Sequence, residues 1–225
     1  MLKISNKLKN LAITILIGGK STRFGIDKGL FEFRGKPLIS YQLEILTQIQ
    51  YNIFLVAHSK QQAQSYIDKI NFKQIMGFII DDNSLLSDSN MNTPMKGLYS
   101  AFKELKDIGY EKSFSLSCDL PLINLDVIEF MINQSVGYDC SIPRWNNGFL
   151  EPLFAIYPIK KAYISIEENL KNRKYKLTNI IDKNWKINFI SIEKSIKKLD
   201  PNLLTFLNIN TPEDIKLLTK KKKKL

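Results

Sequence analysis

The 225-residue sequence is poor in the residues that most often hold metals or form disulfides. It contains two cysteines, Cys118 and Cys140, and one histidine, His58. The cysteines stand in apolar surroundings at no metal-ligand spacing, which argues against a cysteine-based metal site and favours a reducing cytoplasm. With a single histidine, the sequence offers no apparent strong general base.

Long hydrophobic runs are also missing. No apolar run approaches the ~20 residues that a membrane span requires, so we expect no membrane-spanning segment. Residues 1–10 are basic, but they precede only a short apolar stretch without a small-residue cleavage site, and we expect no signal peptide. The length predicts a single domain over residues 1–219, large enough to bury a full core, followed by a basic tail at residues 220–225.

Acidic residues are outnumbered, with 22 Asp and Glu against 33 Lys and Arg, which gives a net charge of +11. Such a charge attracts polyanions without fixing a function. The lysines are spread along the chain, and the densest run, Lys220 to Lys224, is expected to be a disordered, solvated tail. We therefore do not expect nucleic acid to be the main ligand.

Glycine is scarce too, yet three of the 10 glycines fall between Leu16 and Lys28. This segment follows an apolar run that we predict to be a strand. Glycines after a strand let successive backbone N–H groups close on an anion, and Arg23 and Lys28 add positive charge. The spacing matches neither the Walker pattern nor the dinucleotide fingerprint. The segment indicates a phosphate-binding loop; a glycine-rich turn with solvated charges is the alternative.

Apolar runs alternate with amphipathic segments along the chain. We predict strands at residues 11–17, 53–57, 78–80, 113–117, 140–143, 150–157 and 187–192. We predict helices at residues 38–49, 61–70, 96–108, 126–134, 160–169, near 177–181, and from 212 to about 219. This alternation favours an α/β fold with a mainly parallel sheet and helices on both faces. The glycine loop and the acids at 81, 82 and 119 all follow predicted strands, so we expect them in one cleft.

These residues resemble a known family. The segment from Leu16 to Lys28 resembles the L-x-G-G-x-S-x-R-[MF]-G-x-D-K signature of nucleotidyltransferases that build nucleotide-bearing cofactors and sugars. Its Gly-Gly pair and Asp-Lys ending are most similar to the molybdenum cofactor guanylyltransferases (MobA-type). Further segments resemble later motifs of that family in the same order: Asp81-Asp82, Pro94 to Gly97, Cys118 to Pro121, Glu151 to Tyr157 and Asn208 to Asp214.

The resemblance implies a three-layer Rossmann-like nucleotidyltransferase fold. It also implies transfer of GMP from GTP to the phosphate of molybdopterin, with release of pyrophosphate. The attacking phosphate is largely ionised near neutral pH, its second pKa being about 6, so no strong base is required. The chemistry instead needs positioning and neutralisation of charge where two polyanions meet.

The catalytic candidates are Arg23, Lys28 and Asp119. Asp119 lies in the segment that resembles the family's C-D-x-P motif and is expected to hold Mg²⁺, which prefers carboxylate oxygens, water and substrate phosphates. Capping of the following helix is the alternative for Asp119. Lys28 is expected to neutralise the triphosphate, and Arg23 either helps or pairs with Asp27 or another acid.

The resemblance also implies the nucleotide site. The expected contacts are Leu16, Ile17, Gly18, Gly19, Lys28, Asp82 and Asp119. Gly18-Gly19 favours guanine, because cytosine-specific relatives commonly have Ala-Gly there. Asp82 is expected to bond to guanine or ribose, with Asp81 as the other member of the pair and an exposed turn as the alternative.

The acceptor side rests on the same resemblance. Asn208 and Asn210 are implied to face the pterin and to help frame the metal site, although a turn before a capped helix explains Asn210 as well. Arg144 and Trp145 are weaker candidates for contacts to the pterin.

The sequence departs from the family pattern at four positions, one of which is Thr93 in the segment that resembles the family's G-P-L-x-G loop. Ile17 replaces the usual alanine and is expected to crowd the base-binding strand. His58 stands where many members have asparagine, and Lys96 adds a charge near the expected phosphates.

The main hypothesis is therefore a cytoplasmic, Mg²⁺-dependent guanylyltransferase whose substrates are GTP and molybdopterin. Its further partners would be cofactor-insertion chaperones or molybdoenzymes. Two alternatives stay open. One is a cytidylyl- or sugar-phosphate nucleotidyltransferase of the same fold, and the other is a non-catalytic nucleotide- or cofactor-binding escort protein.

Overall fold

The computed structural model of the chain describes residues 10–18, 27–71, 75–82, 93–209 and Asp214. Its strands are β1 (Leu11–Leu16), β2 (Glu32–Phe33), β3 (Lys36–Pro37), β4 (Asn52–Ala57), β5 (Ile75–Ile80), β6 (Lys112–Ser117), β7 (Cys140–Arg144), β8 (Phe154–Pro158) and β9 (Ile187–Ser191). Its α-helices are α1 (Leu38–Leu46), α2 (Lys60–Ile67), α3 (Pro94–Asp107), α4 (Leu125–Gln134) and α5 (Ile159–Lys171). Short 3₁₀ helices span Lys28–Leu30, Leu177–Ile180, Ile196–Lys198 and Leu204–Phe206.

Seven strands form one sheet in the order β5-β4-β1-β6-β8-β7-β9. Strands β5, β4, β1 and β6 run parallel, β8 is antiparallel to both of its neighbours, and β9 is parallel to β7. The four parallel neighbours at one end of the sheet therefore carry their carboxyl ends to the same edge. The mainly parallel sheet confirms the predicted fold class.

Helices cover both faces of the sheet because alternate residues of each central strand point to opposite sides. In β1, Leu11, Ile13 and Ile15 enter the core beneath α1, α2 and α4. Ala12 and Leu16 face the second core, beneath α3 and α5. These three layers are the arrangement that the resemblance implied.

Three helices begin at the capping residues expected for their sequences. The Ser59 hydroxyl accepts the N–H of Gln62 at the start of α2, and Thr93 precedes Pro94, the first residue of α3. The Asn124 side chain accepts the N–H groups of Asp126 and Val127 at the start of α4. Polar side chains at these positions satisfy the N–H groups that a helix leaves unpaired.

The structure corrects some predicted boundaries. Strand β8 begins at Phe154 rather than at residue 150, because residues 151–153 form a turn in which the Phe154 N–H bonds to the Glu151 carbonyl. The helix predicted near 177–181 is a single 3₁₀ turn, and α1 ends at Leu46 rather than at residue 49. The short β2–β3 hairpin has no counterpart in the predictions.

The C-terminal part of the described chain returns across the sheet. The Phe206 ring packs edge-on against Phe154 and Trp145, with centroids 5.2 and 5.7 Å apart. Two residues beyond Leu207, the Ile209 N–H donates to the Asp119 carbonyl over 3.0 Å. These contacts bring residues 206–209 to the edge where β6 ends.

Several predictions concern residues outside this description. The helix expected from residue 212 and the basic tail at 220–225 lie there, apart from Asp214. The single domain over residues 1–219 stays a prediction. Within the part of the chain that the structure describes, no helix is long and apolar enough to cross a membrane.

Candidate active site

The carboxyl ends of four parallel strands define the candidate site. Ile17 follows β1, His58 follows β4, Asp81 follows β5 and Asp119 stands two residues past the end of β6. Because neighbouring parallel strands end at one edge, residues far apart in the sequence meet there. The acids at 81 and 119 and the start of the glycine loop therefore lie at one edge of the sheet, while residues 19–26 of that loop lie outside the described residues.

Asp119 is held rigidly by its backbone. The Cys118 N–H donates to the Leu16 carbonyl over 3.1 Å, which extends the pairing of β6 with β1 beyond the strands. The Asp119 carbonyl accepts the Ile209 N–H from the other side. The carboxylate therefore projects from a backbone that is fixed at both flanks.

The capping alternative for Asp119 is not what the structure contains. Helix α4 begins at Leu125, and its cap is Asn124. One Asp119 oxygen, Oδ1, is buried and has no hydrogen-bond partner among the described residues. A buried carboxylate oxygen without a partner costs free energy unless a ligand binds it.

Lys28 lies close to Asp119 at this edge of the sheet. Its Nζ lies 3.7 Å from Asp119 Oδ2, and the two side chains are only 18% and 22% exposed. Lys28 is the first residue of the 3₁₀ turn Lys28–Leu30, whose start is capped by the Asp27 side chain. The structure thus brings together two of the three catalytic candidates, and the third, Arg23, lies outside the described residues.

Three of the residues expected along the nucleotide base, Leu16, Ile17 and Gly18, lie at the end of β1 or directly after it. Both the Ile17 and the Gly18 N–H groups donate to the Val56 carbonyl, over 3.0 and 3.2 Å. A Cβ added at Gly18 would lie 3.3 Å from the backbone nitrogen of His58, so glycine permits this close approach of the two segments. The expectation that Ile17 crowds the base site is not met, because its buried side chain belongs to the core on the α1, α2 and α4 face.

The two acids after β5 face different partners. Asp82 Oδ2 lies 2.6 Å from Lys103 Nζ on α3, and the Asp82 N–H donates to the Ser100 hydroxyl. Asp81 instead lies next to Gly97, where an added Cβ would be 3.6 Å from Asp81 Oδ1 and 3.3 Å from the Leu16 side chain. Asp81 is therefore the acid nearer to the end of β1.

Burial acts strongly on Asp81. It raises the pKa of this carboxyl to about 6, while the positive charge of Lys96 and the influence of His58 act in the opposite direction. Lys96 is itself buried, in the first turn of α3. The positive charge of Lys96, which we expected near the phosphates, thus acts on Asp81.

Asn208 and Trp145, two of the residues expected on the acceptor side, lie among the described residues, and Glu151 contacts Trp145. Asn208 is exposed and precedes Ile209, whose N–H binds the Asp119 backbone. The Trp145 Nε1–H donates to Glu151 Oε1 over 2.6 Å, and burial, followed by the charge of Asp119, raises the pKa of Glu151. Trp145 thus supports a carboxylate close to Asp119.

Arg144, the other candidate on this side, is turned elsewhere. Its guanidinium carbon lies 4.8 Å from the centroid of the Phe189 ring, in a cation–π contact with β9.

The donor set at Asp119 fits a magnesium ion. Carboxylate oxygens are the ligands that Mg²⁺ prefers, and the unpartnered Oδ1 is one such oxygen. Among the described residues there is no group of three or more His, Cys, Asp or Glu side chains that could hold a metal. Mg²⁺ commonly keeps several waters and binds substrate phosphates, so one or two protein carboxylates suffice.

Sequence reasoning missed Gln62 and Tyr66 on α2. Both side chains are buried and both bond to Asp27, beside Lys28. A usable signal was present, since a glutamine and a tyrosine four residues apart lie on one face of a helix. Gly19, Arg23 and Asn210, also expected in the site, lie outside the described residues.

Known proteins resemble this chain in sequence and in fold. The MobA-like NTP transferase domain family matches residues 13–185. The chain is 32% identical over 212 residues to a probable molybdenum cofactor guanylyltransferase of Pyrococcus horikoshii, covering 93% of this chain and 99% of that protein. It is 29% identical over 205 residues to a protein of the same name from Methanosarcina mazei, covering 89% and 86%.

A solved structure shares the fold. The crystal structure of molybdopterin-guanine dinucleotide biosynthesis protein A from Archaeoglobus fulgidus superposes with a TM-score of 0.74 at 24% identity, covering 95% of this chain and all of that one. The chain belongs to the MobA-like NTP transferase family and is a nucleotidyltransferase.

Proposed function

We propose that this chain transfers GMP from GTP to the phosphate of molybdopterin, forming molybdopterin guanine dinucleotide and pyrophosphate, with Mg²⁺ bound at Asp119. The observation that carries the proposal is the pairing of Lys28 with a carboxylate whose second oxygen is buried and unpartnered. Relatives of nearly the same length that are named as probable molybdenum cofactor guanylyltransferases support guanine and the pterin acceptor.

The reaction forms one bond and breaks one at the α-phosphorus of GTP. An oxygen of the molybdopterin phosphate attacks, and pyrophosphate leaves with the electrons of the bond that breaks. Lys28 neutralises charge on the triphosphate, as positioning and charge neutralisation dominate phosphoryl transfer. Asp119 would hold the metal, and bound Mg²⁺ would offset the negative charge of the phosphates.

The remaining residues bind and orient the substrates. Leu16, Ile17, Gly18 and Gly19 border the base, and Arg23 adds charge at the triphosphate. Asp81 rather than Asp82 accepts hydrogen bonds from guanine or ribose, because the Asp82 carboxylate pairs with Lys103. Asn208, which precedes the residue bonded to the Asp119 backbone, and Asn210 contact the pterin.

We place the reaction in the cytoplasm. Both cysteines are free and buried, as suits a reducing compartment. The dinucleotide product must then pass to a cofactor-insertion chaperone or directly to a molybdoenzyme, because it is useful only when bound there. Nucleic acid has no part in this scheme.

Pyrophosphate release tests the proposal. The purified chain is supplied with Mg²⁺ and molybdopterin and with either GTP or CTP. We expect release with GTP, and we expect Asp119→Ala to reduce it by at least about 100-fold, since stabilisation of developing charge is commonly the largest catalytic contribution. Asp126→Ala, at an exposed carboxylate on α4, is the matched control and keeps activity.

Other outcomes would redirect the assignment. Release with CTP instead of GTP would overturn the guanine assignment and leave a cytidylyltransferase of the same fold. GTP binding without pyrophosphate release would make the chain a nucleotide-binding escort protein. Full activity in Asp119→Ala would remove the metal role from this residue.

A further inference from the structure

The Gln62 side chain connects three separate segments at the edge of the sheet. It is buried, and its Nε2 donates to the Ile17 carbonyl over 2.8 Å and to Asp27 Oδ2. Its Oε1 accepts the His58 N–H over 2.9 Å. One amide thus joins the end of β1, the residue after β4 and the residue before Lys28.

Starting helix α2 does not require this amide. The Ser59 hydroxyl already accepts the Gln62 N–H, so the helix has its cap. Among the described residues, the Gln62 side chain forms its hydrogen bonds with partners outside α2. An apolar residue would fill the same volume without a desolvation cost, which indicates that the hydrogen bonds themselves matter here.

Tyr66 completes the support of Asp27 one helical turn later. Its hydroxyl donates to Asp27 Oδ1 over 2.5 Å, and the Gly29 N–H donates to the same oxygen over 3.0 Å. Burial, the negative charges nearby and the bond to Asp27 keep the pKa of Tyr66 well above its usual value, so the hydroxyl stays a donor. Both oxygens of Asp27 therefore have partners from α2.

This support fixes the residues on either side of Lys28. Asp27 is held by Gln62 and Tyr66, and Gly29 packs so closely on the Tyr66 hydroxyl that a Cβ there would overlap it. The backbone of Lys28 has little freedom between two such neighbours. Its ammonium group consequently lies opposite Asp119, 3.7 Å from Oδ2.

We propose that Gln62 and Tyr66 are positioning residues that act through Asp27 to hold Lys28 at the triphosphate. The inference rests on the proposed role of Lys28 in binding GTP. Because Gln62 also binds the Ile17 carbonyl and the His58 N–H, it ties the base end of the site to its phosphate end. A shift of about 1 Å in such a group can reduce a rate by about 100-fold.

The test compares GTP affinity in two backgrounds. Tyr66→Phe removes only the hydroxyl that binds Asp27. We expect it to raise the Kd for Mg²⁺–GTP about fivefold in the wild-type background and to leave the Kd unchanged in Lys28→Ala, as coupled residues are not additive. Gln62→Leu is expected to raise the Kd about tenfold in the wild type, and to lose most of that effect in Lys28→Ala.

A matched control separates positioning from general loss of packing. Tyr157 is also fully buried and donates its hydroxyl to a backbone carbonyl, that of Pro152. Tyr157→Phe should therefore cost comparable stability in urea unfolding while leaving GTP affinity unchanged. If Tyr66→Phe fails to fold, the Gln62→Leu comparison provides the same test.

Equal effects of Tyr66→Phe or Gln62→Leu in both backgrounds would overturn the proposal, because the residues would then act independently of Lys28. If Lys28→Ala itself leaves GTP affinity and turnover unchanged, the role proposed for Lys28 fails, and the positioning role fails with it. Lack of turnover by the wild type, with the Kd pattern intact, would contradict the proposed reaction alone.

Discussion

At the scale of single residues, burial and nearby positive charge act in opposite directions on the pKa of Asp81. Its carboxyl lies next to Gly97 and is partly removed from water, which raises its pKa to about 6. Lys96 on α3 and His58 after β4 act to lower that pKa, and Lys103 on the same helix pairs with the neighbouring Asp82. The folded protein thus holds a proton on Asp81 that the unfolded chain would release at lower pH.

This gives a prediction for stability against pH. Folding raises the pKa of Asp81, so the folded protein favours the protonated carboxyl. The resulting contribution to stability is fully present below pH 4 and is lost as the pH rises through about 6. Asp81→Asn removes this loss. Between pH 4 and pH 7, the free energy of unfolding of the variant should therefore rise by about 1–2 kcal/mol relative to that of the wild type. The raised pKa of Asp81 corresponds to at most about 3 kcal/mol, and partial exposure of the side chain reduces this value.

Urea unfolding of both proteins between pH 4 and pH 8 measures the difference. Asp107→Asn, at an exposed carboxylate on α3, controls for the loss of one negative charge. Parallel stability curves for the wild type and Asp81→Asn would contradict the raised pKa.

At the scale of the secondary structure elements, helix starts place the residues of the site. Asn124 begins α4 by accepting two N–H groups, which leaves Asp119 free of capping. The Asn124 N–H donates to the Thr205 hydroxyl, and its side-chain amide donates to the Leu199 carbonyl. One cap therefore also ties α4 to the C-terminal segment that reaches Asp119.

We expect Asn124→Ala to lower the free energy of unfolding by about 1–2 kcal/mol, the usual cost of losing an N-cap. Asn124→Asp keeps the accepting oxygen and adds a negative charge at the helix N-terminus, so it should recover most of that loss. Chemical denaturation of the wild type and the two variants measures these free energies of unfolding. Equal destabilisation by alanine and aspartate would show that the cap contributes little.

At the scale of the whole molecule, two hydrophobic cores hold the sheet while its edge carries the polar chemistry. One core lies beneath α1, α2 and α4 and the other beneath α3 and α5. The edge carries the buried Asp119 Oδ1, which has no hydrogen-bond partner among the described residues, and the largely buried Asp81 carboxyl. Burying such groups costs free energy unless a ligand binds them. Nucleotide binding should therefore add directly to global stability.

Thermal unfolding measures this addition. Mg²⁺–GTP at about 100 times its Kd should add roughly 2.7 kcal/mol, which raises the Tm of a chain of this size by about 5–10 °C. CTP at the same concentration should raise the Tm less. In Asp119→Ala the part of the shift that depends on Mg²⁺ should vanish. A shift with CTP equal to that with GTP would refute the base preference.

The sequence by itself determined the local structure and the choice of Lys28 and Asp119 as catalytic candidates. Hydrophobic periodicity is a local property, so the central strands and most helices begin and end within a few residues of their predicted places. Lys28 and Asp119 were recognisable because a cation after a glycine-rich loop and an acid after a strand are local patterns. The α/β class follows from the order of those elements.

Only the tertiary structure decided which side chains meet. Gln62 and Tyr66 lie 35 and 39 residues from Asp27, and no local pattern encodes contacts over that distance. The same holds for the pairing of Asp82 with Lys103, which depends on how α3 packs, and for the antiparallel β8 within the sheet. Such contacts arise from packing between elements, and their hydrogen bonds form only once both cores have brought the segments together.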